Sequence, residues 1–463
     1  MSNDRIVVQL TITVDCDGKT VCKIEPPIAG TGVCGSDAPA SGSAPAGGST
    51  PATSAAPPAG TSSPPTGTGI PPAAGTGGAT PGAGVATPAA PTAKCAAQRT
   101  VHIVAGNGGL AWFTLIWPLP YIVVTDNAAF AIDDRTHFGI APGTGSDHPL
   151  HVRKIGARLV WDGTGAHPQP TVFVAGVNQT HTRNPQTMTI AGGPDVVAAG
   201  AAAQAALAAP LPVLSFSDGL PFGLAAGAPG VAVVANIDGA IAALRLVTSI
   251  SPAVEQDLRP SATTIATWVN AQMPTAVTDF ARNLLFTANA FRLGLISTVL
   301  MPAFNDDPHG AFAGGDWQPA ARADVVARIL DGFYAELAAH SEPKCSPVGT
   351  PLSLADNVVT IMSGDTPKTP FNRNGWGDGT PGNSNLVYVR SNGYLKPGWF
   401  GDLTMNGRVN FDPATGAQFA AANALSTTAA QLGILFAITR GNVAAVTAAS
   451  SAPYAGVVAT TLP

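Results

Sequence analysis

Residues 297–304 read STVLMPAF, residues 317–340 read WQPAARADVVARILDGFYAELAAH, and residues 357–362 read NVVTIM. The first and third are short, nearly continuous apolar runs, which suit strands covered on both faces. The middle stretch has helical length and composition. Asp316 can cap it, and Pro319 falls in the first turn, where a missing N–H costs nothing. Strand, helix, strand is the unit of a parallel sheet.

Working outward, the same alternation extends from about Arg99. Further strands are expected at Val101–Val104, Tyr121–Val124, Thr171–Val177, Val213–Phe216, Val231–Ile237 and Asn385–Val389. Further helices are expected at Val196–Ala209, Ser261–Leu293 and Ala417–Ile438. The fold class is α/β, a mostly parallel sheet with helices on both faces. No internal repeat is visible.

The chain ahead of this domain has a different texture. In Ile6 to Val14, the residues Ile6, Val8, Leu10, Ile12 and Val14 share one face of a strand. Asp17-Gly18 supplies a turn, and Thr20 to Ile24 can return as a second strand. A lone hairpin is marginal in water, so it needs a disulfide, a neighbouring domain or another chain. Residues 36–95 are almost entirely Ala, Pro, Gly, Ser and Thr, with almost no charge and Ile70 as the main large apolar exception, a composition that cannot bury enough surface to offset ordering entropy. The expected organisation is a cysteine-bearing hairpin segment (1–35), a disordered linker (36–95) and one α/β domain (96–463).

Charged residues make up only 11% of the 463, against roughly 25% in a typical soluble chain. The net charge is −5, with no Lys/Arg cluster, which argues against a nucleic-acid partner. No apolar run approaches the ~20 residues that cross a bilayer. Met1 to Thr13 lacks the basic-then-apolar layout of a signal peptide; either the chain is not exported by that route or a leader lies outside this numbering. The five cysteines, Cys16, Cys22, Cys34, Cys95 and Cys345, contain no CxxC pair. Disulfides are the better reading than zinc, with one cysteine left over and the pairing open.

In an open parallel sheet, ligands gather beyond the carboxyl ends of the strands. Those ends are followed by Asn107, by His181, by Asp306, Asp307 and His309, by Asp365, and by Asp378 in a glycine-rich loop. Carboxylates and an imidazole converging from separate strands are what a divalent metal site for ester hydrolysis requires. Asp307, His309, Asp365 and Asp378 are the candidate metal ligands; His181, Lys368 and Asn107 are further candidates. Ser363 and Thr366 are the available hydroxyl nucleophiles. The plainer reading is that Asp-Pro and Asp-Thr-Pro start turns.

At these residues the chain resembles domain-of-unknown-function family 1501, exported bacterial proteins of the alkaline phosphatase and sulfatase superfamily. The resemblance covers most of residues 99–412. Asp307-Pro-His309 is similar to the family's Asp-x-His element, and Gly332-Phe-Tyr-Ala-Glu-Leu337 to the helix ending that follows it. Val358 to Pro370 resembles a strand ending in Ser-Asp/Glu-Phe-Gly-Arg-Thr-Pro, with Asp365 and Lys368 near the acidic and basic positions. Thr180-His181 is similar to the family's Ser-His. Two departures weaken the implied site. The family's Gly-Gly-Ala-Asp-Gly loop is Gly106-Asn-Gly-Gly-Leu110 here, without its acid. Its Gly-Arg-Asp-His-Trp is Asn374-Gly-Trp-Gly-Asp-Gly379 here, without its histidine. What remains suits at most one divalent ion (Zn, Ca or Mg).

Two functions follow as expectations. The first is a non-catalytic structural or interaction protein of the cell envelope or an extracellular assembly. In it the N-terminal strand docks on another envelope protein or on a second copy of this chain. The second is a metal-dependent hydrolase of phosphate or sulfate esters.

Overall fold

The structure is a computed structural model that describes residues 13–14, 20–21, 95–105, 170–176, 188–217, 220, 222–271, 273–303, 318–345, 352–364, 383–404, 407–419 and 424–463. It divides into two units, Met1–Gly82 and Ala83–Pro463. In the first, β1 (Thr13–Val14) and β2 (Thr20–Val21) pair antiparallel, with Thr13 opposite Val21. The remainder of the expected hairpin and the linker lie outside the described residues, as does the expected strand at Tyr121–Val124.

The second unit is built on an eight-stranded sheet. Its strands are β3 (Arg99–Ala105), β4 (Thr171–Val174), β5 (Leu211–Ser215), β6 (Val231–Val233), β7 (Ile296–Pro302), β8 (Val358–Gly364), β9 (Leu386–Arg390) and β10 (Gly398–Phe400), in the order β10-β4-β9-β8-β3-β7-β5-β6. Strand β9 runs against both its neighbours, and the other pairings are parallel. The fold is therefore α/β on a mixed, mostly parallel sheet. Strands β11 (Asp402–Thr404), β12 (Gly407–Phe411) and β13 (Gln418–Phe419) form a small antiparallel sheet beside it.

Helices cover both faces, because the central strands are apolar on both. On one face, α1 (Val196–Ala203), α7 (Ala424–Ile438) and α8 (Val443–Ala449) pack Val196, Val197, Leu435 and Val446 with Ile361 and Val389 of the sheet. On the other lie α2 (Ile237–Val247), α3 (Pro252–Leu258), α4 (Ala262–Trp268), α5 (Thr275–Arg292) and α6 (Gln318–Ala338). These bury Ile241, Leu258, Trp268, Phe286 and Phe333 with Val101 and Val299. Gly200 lets α1 and α7 approach closely: a Cβ there would lie 2.7 Å from Ile438 Cγ2. No helix among the described residues is long and apolar enough to cross a membrane.

Three expected elements change shape. The run Val231–Ile237 is not one strand: it ends at Val233, and Asn236 caps α2 by accepting from the Gly239 N–H at 2.9 Å. The span Ser261–Leu293 is two helices, divided where Pro274 stands at the N-cap of α5 and its ring forbids continuing the α4 ladder. The expected helix from Ala417 begins only at Ala424, since Gln418–Phe419 pairs with β12 instead.

Two interactions clamp the start of β3 to the chain after α6. Cys95 and Cys345 form a disulfide with Cα atoms 5.1 Å apart, packed among Leu207 and Leu352. Arg99, fully buried, makes a bidentate ion pair with Glu342, Nε–Oε2 at 2.8 Å and Nη2–Oε1 at 2.6 Å. Glu342 also accepts from the Lys344 N–H and from Asn357 Nδ2, both at 3.0 Å.

Candidate functional site

The carboxyl edge of the sheet is where chemistry is expected. Strands β7, β3 and β8 are adjacent and parallel, and Val104 lies opposite both Pro302 and Ser363. All three chains therefore leave the sheet at the same edge. The chain that leaves β3 carries Asn107, that from β7 carries Asp307 and His309, and that from β8 carries Asp365, Lys368 and Asp378. Strand β4, two places beyond β8, leads to His181. The seven candidates themselves, with Thr366, lie outside the described residues. Among the described residues, no group of three His, Cys, Asp or Glu side chains is placed to hold a metal.

Ser363, the last side chain of β8, is described. Its Oγ lies 2.9 Å from Nε2 of His102, and both residues are buried. Burial pushes the His102 imidazole down to about 4, so it is neutral at pH 7. A neutral imidazole on a serine hydroxyl is the contact by which a base activates a nucleophile. Among the described residues the other ring nitrogen, Nδ1, has no hydrogen-bond partner, so none of them serves as the third group that orients such a base. As it stands, the pair joins β3 to β8. The next link along the edge is Asn385 Nδ2, which donates to the Gly364 carbonyl at 2.6 Å.

Two helices also open onto this edge. The Gly176 N–H, just past β4, donates to Thr427 Oγ1 in the first turn of α7. The last turn of α7 reaches the opposite edge, where Ile438 O accepts from the Gln98 N–H. Arg408, from β12, spans the space between, donating to Gly176 O at 3.3 Å and Ser426 Oγ at 3.1 Å. Burial lowers the Arg408 pKa.

At the head of α1, the Asp195 carboxylate caps the helix, accepting from the Ala198 N–H at 2.8 Å. Burial pushes this carboxyl up to about 6, against the lowering effect of its backbone hydrogen bonds.

Asp195 and His102 give opposite pH dependences. Asp195 has a raised pKa in the folded chain, so its contribution to stability falls between pH ~4 and ~6 by about 3 kcal/mol. His102 has a lowered pKa, so its contribution is complete above pH ~6.5 and is lost by about 3 kcal/mol as pH falls towards 4. The two nearly cancel. Asp195→Asn keeps a good cap and removes one slope. Its stability relative to the parent is expected to grow from pH 4 to 6 and then level off, as read by urea unfolding across that range. A difference independent of pH would show that Asp195 does not titrate as a buried acid.

Sequence reasoning missed His102, Asp195 and Arg408. His102 stands alone within the apolar strand RTVHIVA, and Asp195, preceding the apolar run Val196 to Ala203, carries the ordinary N-cap signal. Comparison with protein-family models, curated proteins and solved structures finds no match.

Proposed function

We propose that this chain is a structural or interaction protein of the cell envelope or an extracellular assembly, with its hydrolase-like α/β domain used as a building block. The observation that carries this reading is where apolar surface is left uncovered. Of the six large apolar side chains most exposed among the described residues, four lie close together in sequence: Leu224, Val233, Leu246 and Val247. Val233 ends β6, Leu246 and Val247 lie in the last turn of α2, and Leu224 precedes β6 beside the head of α1. Apolar side chains left this exposed along one stretch of chain support an interaction role where they join into a contiguous surface. The disulfide fits an oxidising compartment outside the cytosol. The alternating apolar pattern of the sequence from Ile6 to Val14 suits a second means of association, addition to a partner's sheet edge.

Deleting residues 1–93 is expected to reduce the assembled mass seen by light scattering. Unchanged assembly would remove the N-terminal strand from the reading.

The alternative reading, a metal-dependent phosphate- or sulfate-ester hydrolase, draws support from the adjacency of β7, β3 and β8. It brings the segments with Asp307, His309 and Asp365 out of one edge. Carboxylate oxygens and one imidazole suit a single Zn, Mg or Ca ion, which would polarise the ester oxygens. Metal content by elemental analysis, with turnover of aryl phosphates and sulfates, tests it. No metal and no turnover would reject it.

A further inference from the structure

We infer that the cavity beside the turn after β9 is a binding site for a small molecule that carries an oxyanion, either a carboxylate or a phosphate. It lies at the amino edge of the sheet, opposite the edge from which the candidate metal ligands leave, and it stands independently of the association reading.

The backbone builds one wall. Strand β9 runs against β8, so it ends where β8 begins. Asn392 (φ +56°) and Gly393 (φ +84°) both take the left-handed conformation, and the Tyr394 N–H donates back to Ser391 O at 3.3 Å, which closes a tight turn. The turn is tied down on both sides. Asn392 Nδ2 donates to Gln98 Oε1 at 2.7 Å and to Val358 O at 2.9 Å, and the Leu395 N–H donates to Ser391 Oγ at 3.0 Å. Residues 459–463 close the other side, leaving a cavity of about 470 Å³. Small-molecule sites span roughly 300–1,000 Å³.

The charge of the lining selects the ligand. Arg390 and Lys396 line the cavity, and none of its lining residues has a carboxylate side chain. This is so although acids outnumber bases in the chain, 28 to 23. The Arg390 guanidinium is buried and held in place, 3.7 Å from the Tyr334 ring centroid and donating to Ala355 O at 3.3 Å. The Lys396 ammonium donates to Gly456 O at 2.8 Å and enters no ion pair among the described residues. An ammonium has three N–H donors, so two of them stay available to a ligand. The backbone N–H groups of Asn392 and Gly393 have no hydrogen-bond partner among the described residues either. Successive N–H groups in such a turn form a concavity that suits an anion. A cleft lined by one sign of charge and walled by protein concentrates the opposite sign. A cation would be repelled there, and a neutral molecule would leave the ammonium uncompensated.

The test is calorimetric titration of the full chain at low ionic strength with inorganic phosphate, with succinate, and with glycerol as the neutral control. It is repeated for Lys396→Met, which keeps the aliphatic stem, and for Thr461→Trp, which fills the cavity. The expected result is saturable binding of phosphate or succinate at one site per chain, weakened by salt, and no binding of glycerol. Binding should be weaker by about tenfold or more in Lys396→Met, which loses a charge-assisted hydrogen bond, and absent in Thr461→Trp. Binding of phosphate alone or of succinate alone supports the site and tells which oxyanion it takes. Should tryptophan disturb the fold, seen by circular dichroism, the methionine variant decides. No saturable binding of either anion at millimolar concentration overturns the proposal. A folded Lys396→Met protein that binds as tightly as the parent also overturns it, since the anion then sits elsewhere.

Discussion

Glu342→Gln is expected to destabilise the chain by about 3–5 kcal/mol, although it changes one atom of a side chain and leaves its shape intact. The reason lies with Arg99. Its guanidinium is fully buried, packed 5.4 Å from the Phe291 ring centroid, and bound to both oxygens of Glu342. A neutral amide at position 342 leaves that cation in the interior without a counter-charge, and the loss of charge compensation, not of packing, dominates the cost. Glu342→Ala should therefore be only slightly worse, through the lost acceptor of Asn357 and Lys344. The double variant Arg99→Met, Glu342→Gln should recover a good part of the loss, because the buried charge is gone. Urea unfolding at pH 7 of the parent, Arg99→Met, Glu342→Gln and the double variant gives the coupling directly. If the single variants cost under about 1 kcal/mol, as at an exposed pair, the Arg99–Glu342 contact is not sealed from water.

Some of this was legible in the chain and some was not. The run of residues 297–362 revealed strand, helix and strand because its apolar runs change length and its helix is punctuated. Strands β3, β5, β7, β8 and β9 likewise fall where apolar runs place them, within two residues at each end. The errors have local causes. Val231 to Ile237 looks uniformly apolar, and only the side chain of Asn236, folded back to cap α2, ends the strand. Ser261 to Leu293 keeps helical character across a break that Pro274 enforces. Arg99, Glu342, His102 and Ser363 were illegible for another reason. Their partners are 243 and 261 residues away in sequence, and a spacing that long carries no periodic signal. The expected ligands Asp307, His309, Asp365 and Asp378 follow β7 and β8 in the sequence and lie outside the described residues. What the topology adds is that the ends of β7, β3 and β8 are neighbours.

Reducing the Cys95–Cys345 disulfide should produce the largest single loss of stability, about 5 kcal/mol by the chain-entropy argument. The bridge joins residues 250 apart, so opening it returns a long loop's freedom to the unfolded chain. Little of this is seen by reductant in the folded protein, because both cysteines are buried. Reduction should therefore be slow until denaturant opens the fold. Unfolding midpoints with and without reductant, and for the Cys95→Ser, Cys345→Ser double variant, measure the effect. Five free thiols in the denatured, unreduced chain, or identical midpoints, would show that the bridge is not formed. The disulfide and the ion pair also share one corner of the fold: Cys95 stands four residues before Arg99, and Cys345 three after Glu342. Their contributions should not add. Once the bridge is open, water can reach the corner and solvate Arg99 without Glu342. The cost of Glu342→Gln should then shrink in the reduced protein, which identifies the disulfide as the seal that keeps this ion pair dry.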